Sequence, residues 1–146
     1  MKTFTILLTL LFSKAYASWG PIDLSKVVCS SDLIVLGEII SFEEDYLQVS
    51  FLKEKRSTIY RIAKVRVDKL IKGTHRAKEL RFLTPSEKKS TGGFDHMLLR
   101  KKLNQKGIWF FNGRDRFSGE FLDYNHPDFP QSIEKSSEVI SMLSKC

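Results

Sequence analysis

Cysteine is scarce in this chain: there are two in 146 residues, Cys29 and Cys146. Neither belongs to a Cys-x-x-Cys pair, so no thiol-redox motif is present. Histidine is nearly as rare, with His75, His96 and His126 scattered along the sequence. Asp123, His126 and Asp128 form the closest metal-like grouping and Asp95-His96 a second, but a metal site needs ligands converging on one ion. A loop of Asp, Asn, His and Pro reads first as a turn held by its own side chains. No metal or cofactor is therefore expected. Serines are plentiful, yet none sits in a nucleophile-elbow pattern beside a base. Glu38, Glu43, Glu44 and Asp45 supply carboxylates of the kind glycoside chemistry pairs, but Glu43-Glu44-Asp45 reads better as a solvated hairpin tip. The sequence lacks internal repeats and low-complexity segments as well. These absences point away from catalysis and toward one ordinary domain that is not an enzyme.

Long apolar runs are missing too. The main one, residues 3–12 (TFTILLTLLF), is about half the roughly 20 residues that a bilayer span requires. Lys2 precedes it and Ala15-Tyr16-Ala17 follows, the small-x-small pattern that a signal peptidase cuts after. This predicts a signal peptide over residues 1–17, cleavage between Ala17 and Ser18, and a single domain over residues 18–146. The expected location is secreted or periplasmic, without a stable membrane span. Cys29 follows Lys26-Val27-Val28 rather than small residues, so it is not a lipid-anchor cysteine.

What is present is positive charge and apolar content. The net charge is +7, and 42% of residues are hydrophobic. The apolar fraction suits a globular core. The cationic excess favours anionic neighbours such as nucleic acid, acidic polysaccharide or lipid headgroups, or else merely solvates the surface. In an oxidising compartment an even cysteine count favours pairing. A Cys29–Cys146 bridge would tie both ends of the domain together, with an upper value of about 4–5 kcal/mol in the chain-entropy picture. Two free thiols, or an intermolecular link through Cys146, remain the alternatives.

Ile22, Leu24, Val27 and Val28 recur at near-helical spacing and predict a short helix through about Ser30. The β-branched run at residues 33–42 predicts a strand, with Gly37 marking a bulge or bend. Residues 46–52 alternate as a second strand, and Lys53-Glu54-Lys55-Arg56 makes a charged hairpin tip. Residues 59–71 form a third strand whose phase shifts near Lys69, which implies a bulge there. Leu80 and Phe82 lie in a fourth strand. Residues 84–107 are the least regular, with room for a short helix near 97–103. Ile108-Trp109-Phe110-Phe111 is a fifth strand turned by Asn112-Gly113, and residues 119–124 a sixth. Ile133, Val139, Ile140, Leu143 and Cys146 predict a C-terminal helix with Cys146 on its buried stripe, opened by a capping box of Asp128 and Gln131. The fold class is thus mainly β, with a short N-terminal and a C-terminal helix.

Three segments taken in order are Ser31-Asp32-Leu-Ile-Val-Leu-Gly37-Glu-Ile, a strand ending Leu70-Ile71-Lys72-Gly73, and Lys106-Gly107-Ile-Trp-Phe-Phe111. That order resembles the netrin-like family, which includes the tissue inhibitors of metalloproteinases and many uncharacterised bacterial secreted proteins. The resemblance covers roughly Cys29 to Cys146 and implies a small closed antiparallel barrel of OB type. The inhibitors in that family insert a Cys-x-Cys N-terminus into a protease zinc site. Here the domain opens Ser18-Trp19-Gly20, so that chemistry has nothing to carry it. What the resemblance implies is architecture and a bias toward protein binding.

The basic residues fall mainly in the expected loops. Lys53, Lys55, Arg56, Lys88 and Lys89 are among them, and Arg100, Lys101, Lys102, Arg114, Arg116 and Phe117 form the candidate binding set. OB-type barrels bind strands and sugars through aromatic platforms in cationic grooves. The eleven phenylalanines equally suit a filled core. If residues 109–111 are extended, at least one of Trp109, Phe110 and Phe111 faces away from the core. The expected function is a non-catalytic binding module, engaging a protein of the cell envelope or medium through loops 84–107 and 113–119. The alternative is a binder of anionic polymers (polysaccharide, lipid headgroups or nucleic acid) through the basic loops and exposed aromatics.

Overall fold

The computed structural model describes residues 22–51, 56–85, 101–114, 119–124 and 130–146. The expected leader, its cleavage site, Arg100, Arg116, Phe117, His96, His126 and Asp128 lie outside the described residues, as do residues 52–55 and 86–99. Helix α1, Leu24–Ser30, begins where the Asp23 carboxylate accepts the Lys26 N–H at 3.1 Å, a side-chain N-cap. Its other end is held from a distance in sequence. Lys72 Nζ donates to the carbonyls of Val28 (3.0 Å) and Cys29 (2.9 Å), placing a cation on the negative end of the helix.

Five strands follow among the described residues: β1 Leu33–Phe51, β2 Arg56–Lys72, β3 Glu79–Pro85, β4 Lys106–Arg114 and β5 Leu122–Tyr124. They form one sheet in the order β1-β2-β3-β5-β4, and β4 pairs again with β1. Most ladders are antiparallel, but β3 meets β5 in parallel, at Phe82↔Leu122. That corrects the expectation of a wholly antiparallel arrangement. A 3₁₀ turn, Ile133–Lys135, leads into α2, Ser136–Leu143.

The two strands expected over residues 33–42 and 46–52 are one long strand. Between the pairs Phe42↔Ala63 and Tyr46↔Arg61, β1 advances four residues while β2 advances two. Glu43-Glu44-Asp45 is therefore a bulge inside β1 and not a hairpin tip, and a bulge bends a strand without ending it. The expected irregularities near Gly37 and Lys69 are found together, where Leu36 pairs with Lys69 but Gly37 pairs with Val67. A Cβ on Gly37 would collide with the Arg66 carbonyl and with Val65 Cγ1, so a glycine is required at this close approach.

Side-chain alternation divides the core in three. One face of the sheet buries Leu33, Val35, Ile39, Ala63, Val65, Leu80, Phe82, Trp109 and Phe111, with Phe82 tilted against both Trp109 and Phe111. The Trp109 indole N–H donates to the Gly37 carbonyl at 3.1 Å, satisfying its one buried donor. On the other face, Ile34, Ile108 and Phe110 pack under Val28 of α1 and Val139 of α2. A third cluster joins Ile62, Leu83 and Phe121.

The ends of the domain are joined by the Cys29–Cys146 disulfide, with a Cα–Cα distance of 5.3 Å and a sequence separation of 117. Other details of the C-terminal segment differ from expectation. Ser132 caps the 3₁₀ turn by accepting from the Glu134 N–H, while Asp128 of the expected capping box lies outside the described residues. Gln131 instead bridges Ile108 through two backbone bonds of 2.8 and 3.0 Å. Ile140 is 45% exposed and Cys146 is exposed too, so the buried stripe of α2 is Val139 with Met142 and Leu143 beside it. Among the described residues no helix is long and apolar enough to cross a membrane.

Candidate functional site: a groove beside strand β3

The starts of β3 and β5 and the end of β4 lie at one end of the sheet, because β3 and β5 run parallel and β4 runs against them. Between them is a groove of about 190 Å³ lined by His75, Glu79, Leu80, Arg81, Arg114, Glu120 and Leu122. Among the described residues β5 is three residues long and meets β3 at Phe82↔Leu122. Apolar wall comes from Leu80, which is buried, and from Leu122. The rim is charged.

Arg81 organises that rim. Its Nε and Nη2 donate to the two carboxylate oxygens of Glu43 at 2.6 and 2.8 Å, and its Nη1 to Glu120 Oε1 at 3.1 Å. The guanidinium also stands 4.8 Å above the Phe121 ring. The forked hydrogen bond from Arg81, with Lys64 Nζ 3.7 Å away, holds the Glu43 carboxyl below the usual carboxylate range. Arg81 is in turn raised above the ordinary arginine value, chiefly by Glu43. Arg114 Nη1 donates to the Glu120 carbonyl at 2.7 Å, and the His75 ring Nε2 lies 3.3 Å from the Glu79 carbonyl. A second network sits on the same outer surface. Arg66 bonds Glu38 and Asp68 at 3.0 and 3.1 Å, and Lys106 reaches Asp68 at 3.3 Å. The Arg66 hydrogen bond, aided by Lys106, lowers the Asp68 carboxyl.

The described lining of the groove offers hydrogen bonds and charge. His75 faces a backbone carbonyl rather than a carboxylate, and among the described residues no three His, Cys, Asp or Glu side chains gather as metal ligands.

Of the candidate binding set, Arg114 is in the groove and exposed. Lys102 is exposed on a separate turn, where its N–H donates to Gln105 Oε1. Lys101 is a correction: it is only 4% exposed, and its carbonyl accepts from Arg61 Nη2 at 2.9 Å. A lysine so enclosed is not a loop cation offered to a polymer. Arg61 itself lies over the Phe42 ring, 3.5 Å from its centroid. Trp109, Phe110 and Phe111 are all fully buried. One of them does leave the main core, as alternation demands, but Phe110 turns into the interface with the two helices. None of the three is an exposed platform.

His75, Glu79, Arg81 and Glu120 were not among the candidates. Arg81 and Glu79 alternate with the apolar Leu80 and Phe82, which was a signal for an outward row on β3. The partner Glu43 lies 38 positions away and had no local signal. Compared with known proteins, the chain matches no family model and no curated protein.

Proposed function

We propose that this protein is a secreted or periplasmic, non-catalytic binding module of netrin-like OB type, and that it engages a protein partner through the rim of its sheet. One observation carries the reading: the interior is filled by Trp109, Phe82 and Phe111, while the groove beside β3 lies on the outside with a charged rim in which Arg81 is bonded to Glu43 and Glu120. Its volume of about 190 Å³ falls below the roughly 300–1,000 Å³ of small-molecule sites. The ladder order β1-β2-β3-β5-β4 and the return from β4 to β1 support a closed five-stranded OB-type barrel. The disulfide supports an oxidising compartment, and with it removal of residues 1–17 after Ala17.

A polyanion groove is the second reading. Lys69, Arg76 and Lys78 are exposed and favour it. Against it, two arginines of the outer sheet surface, Arg66 and Arg81, are each bound by two carboxylates. Affinity capture with the oxidised protein, from cell-envelope extract and culture fluid, separates the two. A discrete protein retained after a high-salt wash is the expected result. Loss of everything at high salt, with acidic polymers in the low-salt eluate, contradicts it, since phosphate-type contacts weaken steeply with salt.

A further inference from the structure

Cys29 and Cys146 are both exposed, so the disulfide that joins them lies at the surface. An exposed disulfide is more readily reduced than a buried one. Its surroundings are cationic. Lys72 Nζ donates to the Cys29 carbonyl at 2.9 Å. Lys26 stands three residues before Cys29 on α1, a spacing at which helical side chains are neighbours, and Lys145 precedes Cys146. The carboxylate nearest in sequence, Asp32, lies beside Gly113 of β4. Glu138 sits in the first turn of α2, away from its cysteine end. Positive charge stabilises a thiolate, and a better-stabilised thiolate leaves faster in disulfide exchange.

The two helices joined by this bond are held in unequal ways. The Asp23 carboxylate caps α1, Lys72 holds its last carbonyls, and the Ser31 hydroxyl donates to the Val27 carbonyl at 2.7 Å. None of these contacts needs the disulfide. By contrast, α2 has eight residues, no side-chain hydrogen bond at its own N-cap and one fully buried side chain, Val139. A helix that short is marginal by itself. Ahead of it, Gln131 is fixed to Ile108 by two backbone bonds, so the segment able to swing begins after that bridge. The large cluster around Trp109 and Phe82 lies on the opposite face of the sheet and includes no residue of either helix.

We propose that the Cys29–Cys146 bond is a reducible latch: a dithiol donor opens it, and the segment after Gln131 then leaves the sheet while α1 stays. The proposal goes beyond the binding reading and does not depend on the groove. A donor thiolate attacks the Cys146 sulfur, forming a mixed disulfide and expelling Cys29 as the thiolate beside Lys72 and Lys26. The second donor thiolate then attacks the donor sulfur of the mixed disulfide and releases Cys146. Two electrons pass to the protein, the donor ends as its own disulfide, and its two protons finish on Cys29 and Cys146. Departure of α2 uncovers the side of Ile34, Ile108 and Phe110 that Val139 covers.

The test treats the whole oxidised protein with dithiothreitol at neutral pH without denaturant, counting thiols by alkylation and following backbone hydrogen exchange. The expected result is complete reduction, with protection falling at least tenfold over residues 132–146 and kept in α1 and β4. Reoxidation should restore the protection. Cys29→Ser combined with Cys146→Ser should show the open pattern without reductant. Lys72→Gln should slow reduction, whereas Lys106→Gln, placed on the Asp68 network, should not. A disulfide that resists excess dithiol overturns the latch, as does a reduced protein whose α2 stays protected. Loss of protection in α1 and β4 together with α2 also overturns it, because the bond then holds the whole domain rather than one element. Equal reduction rates for parent and Lys72→Gln would overturn the role given to the cations.

Discussion

At the scale of single residues, the structure turns on a few positions where substitution has one clear consequence. Gly37 has no room for a side chain between the Arg66 carbonyl and Val65. Gly37→Ala should therefore cost roughly 1–3 kcal/mol, the usual penalty for overpacking, measured by urea unfolding. Phe110 is fully buried under both helices, and Phe110→Ala should cost about 3–5 kcal/mol. If Phe110 were instead a surface platform, that change would be nearly neutral. Glu43 makes a pH prediction. Its carboxyl titrates below its ordinary value because of Arg81, so it contributes stability above the ordinary carboxylate range, and the contribution is lost as pH falls through the depressed value. Arg81→Gln should lower stability near neutrality by about 0.5–1 kcal/mol, modest because the Arg81 side chain is 42% exposed. The gap between variant and parent should close in acid. A gap that stays constant with pH would separate Arg81 from the Glu43 titration.

Elements tell a different story, since here the boundaries were partly readable and partly hidden. The disulfide ties α1 to the end of the chain across 117 positions. Cys146→Ser should lower stability by up to about 4–5 kcal/mol under oxidising conditions, and the loss should vanish when parent and variant are compared in excess dithiol. The α1 helix, the bulge at Gly37 and the apolar strands β2, β3 and β4 were legible, because periodicity and glycine placement are local signals. The continuity of β1 was not. A polar triplet such as Glu43-Glu44-Asp45 looks the same in a bulge as in a turn until its partner strand is known. Asn112-Gly113 misled in the same manner: β4 runs on to Arg114, with Gly113 at positive φ inside it. Of the candidate site only Arg114 was legible. Lys101 looked like a surface cation because three basic residues stand in a row, whereas it is buried and its carbonyl meets Arg61, 40 positions away.

Taken together, the described residues form one sheet with a packed core, two helices held over one face and joined by a disulfide, and a charged groove at the rim. On the proposed reading, recognition lies on the outside, at that rim, and the packed interior serves stability. The most direct test measures the protein recovered by affinity capture against three forms of the module: the parent, Arg114→Glu at the groove, and Ile140→Lys on the exposed face of α2. The account predicts that binding falls at least tenfold for Arg114→Glu and is unchanged for Ile140→Lys, with both variants folded by circular dichroism. Equal binding by the parent and Arg114→Glu, or loss through Ile140→Lys alone, would contradict it and move the interaction surface from the groove to the helix.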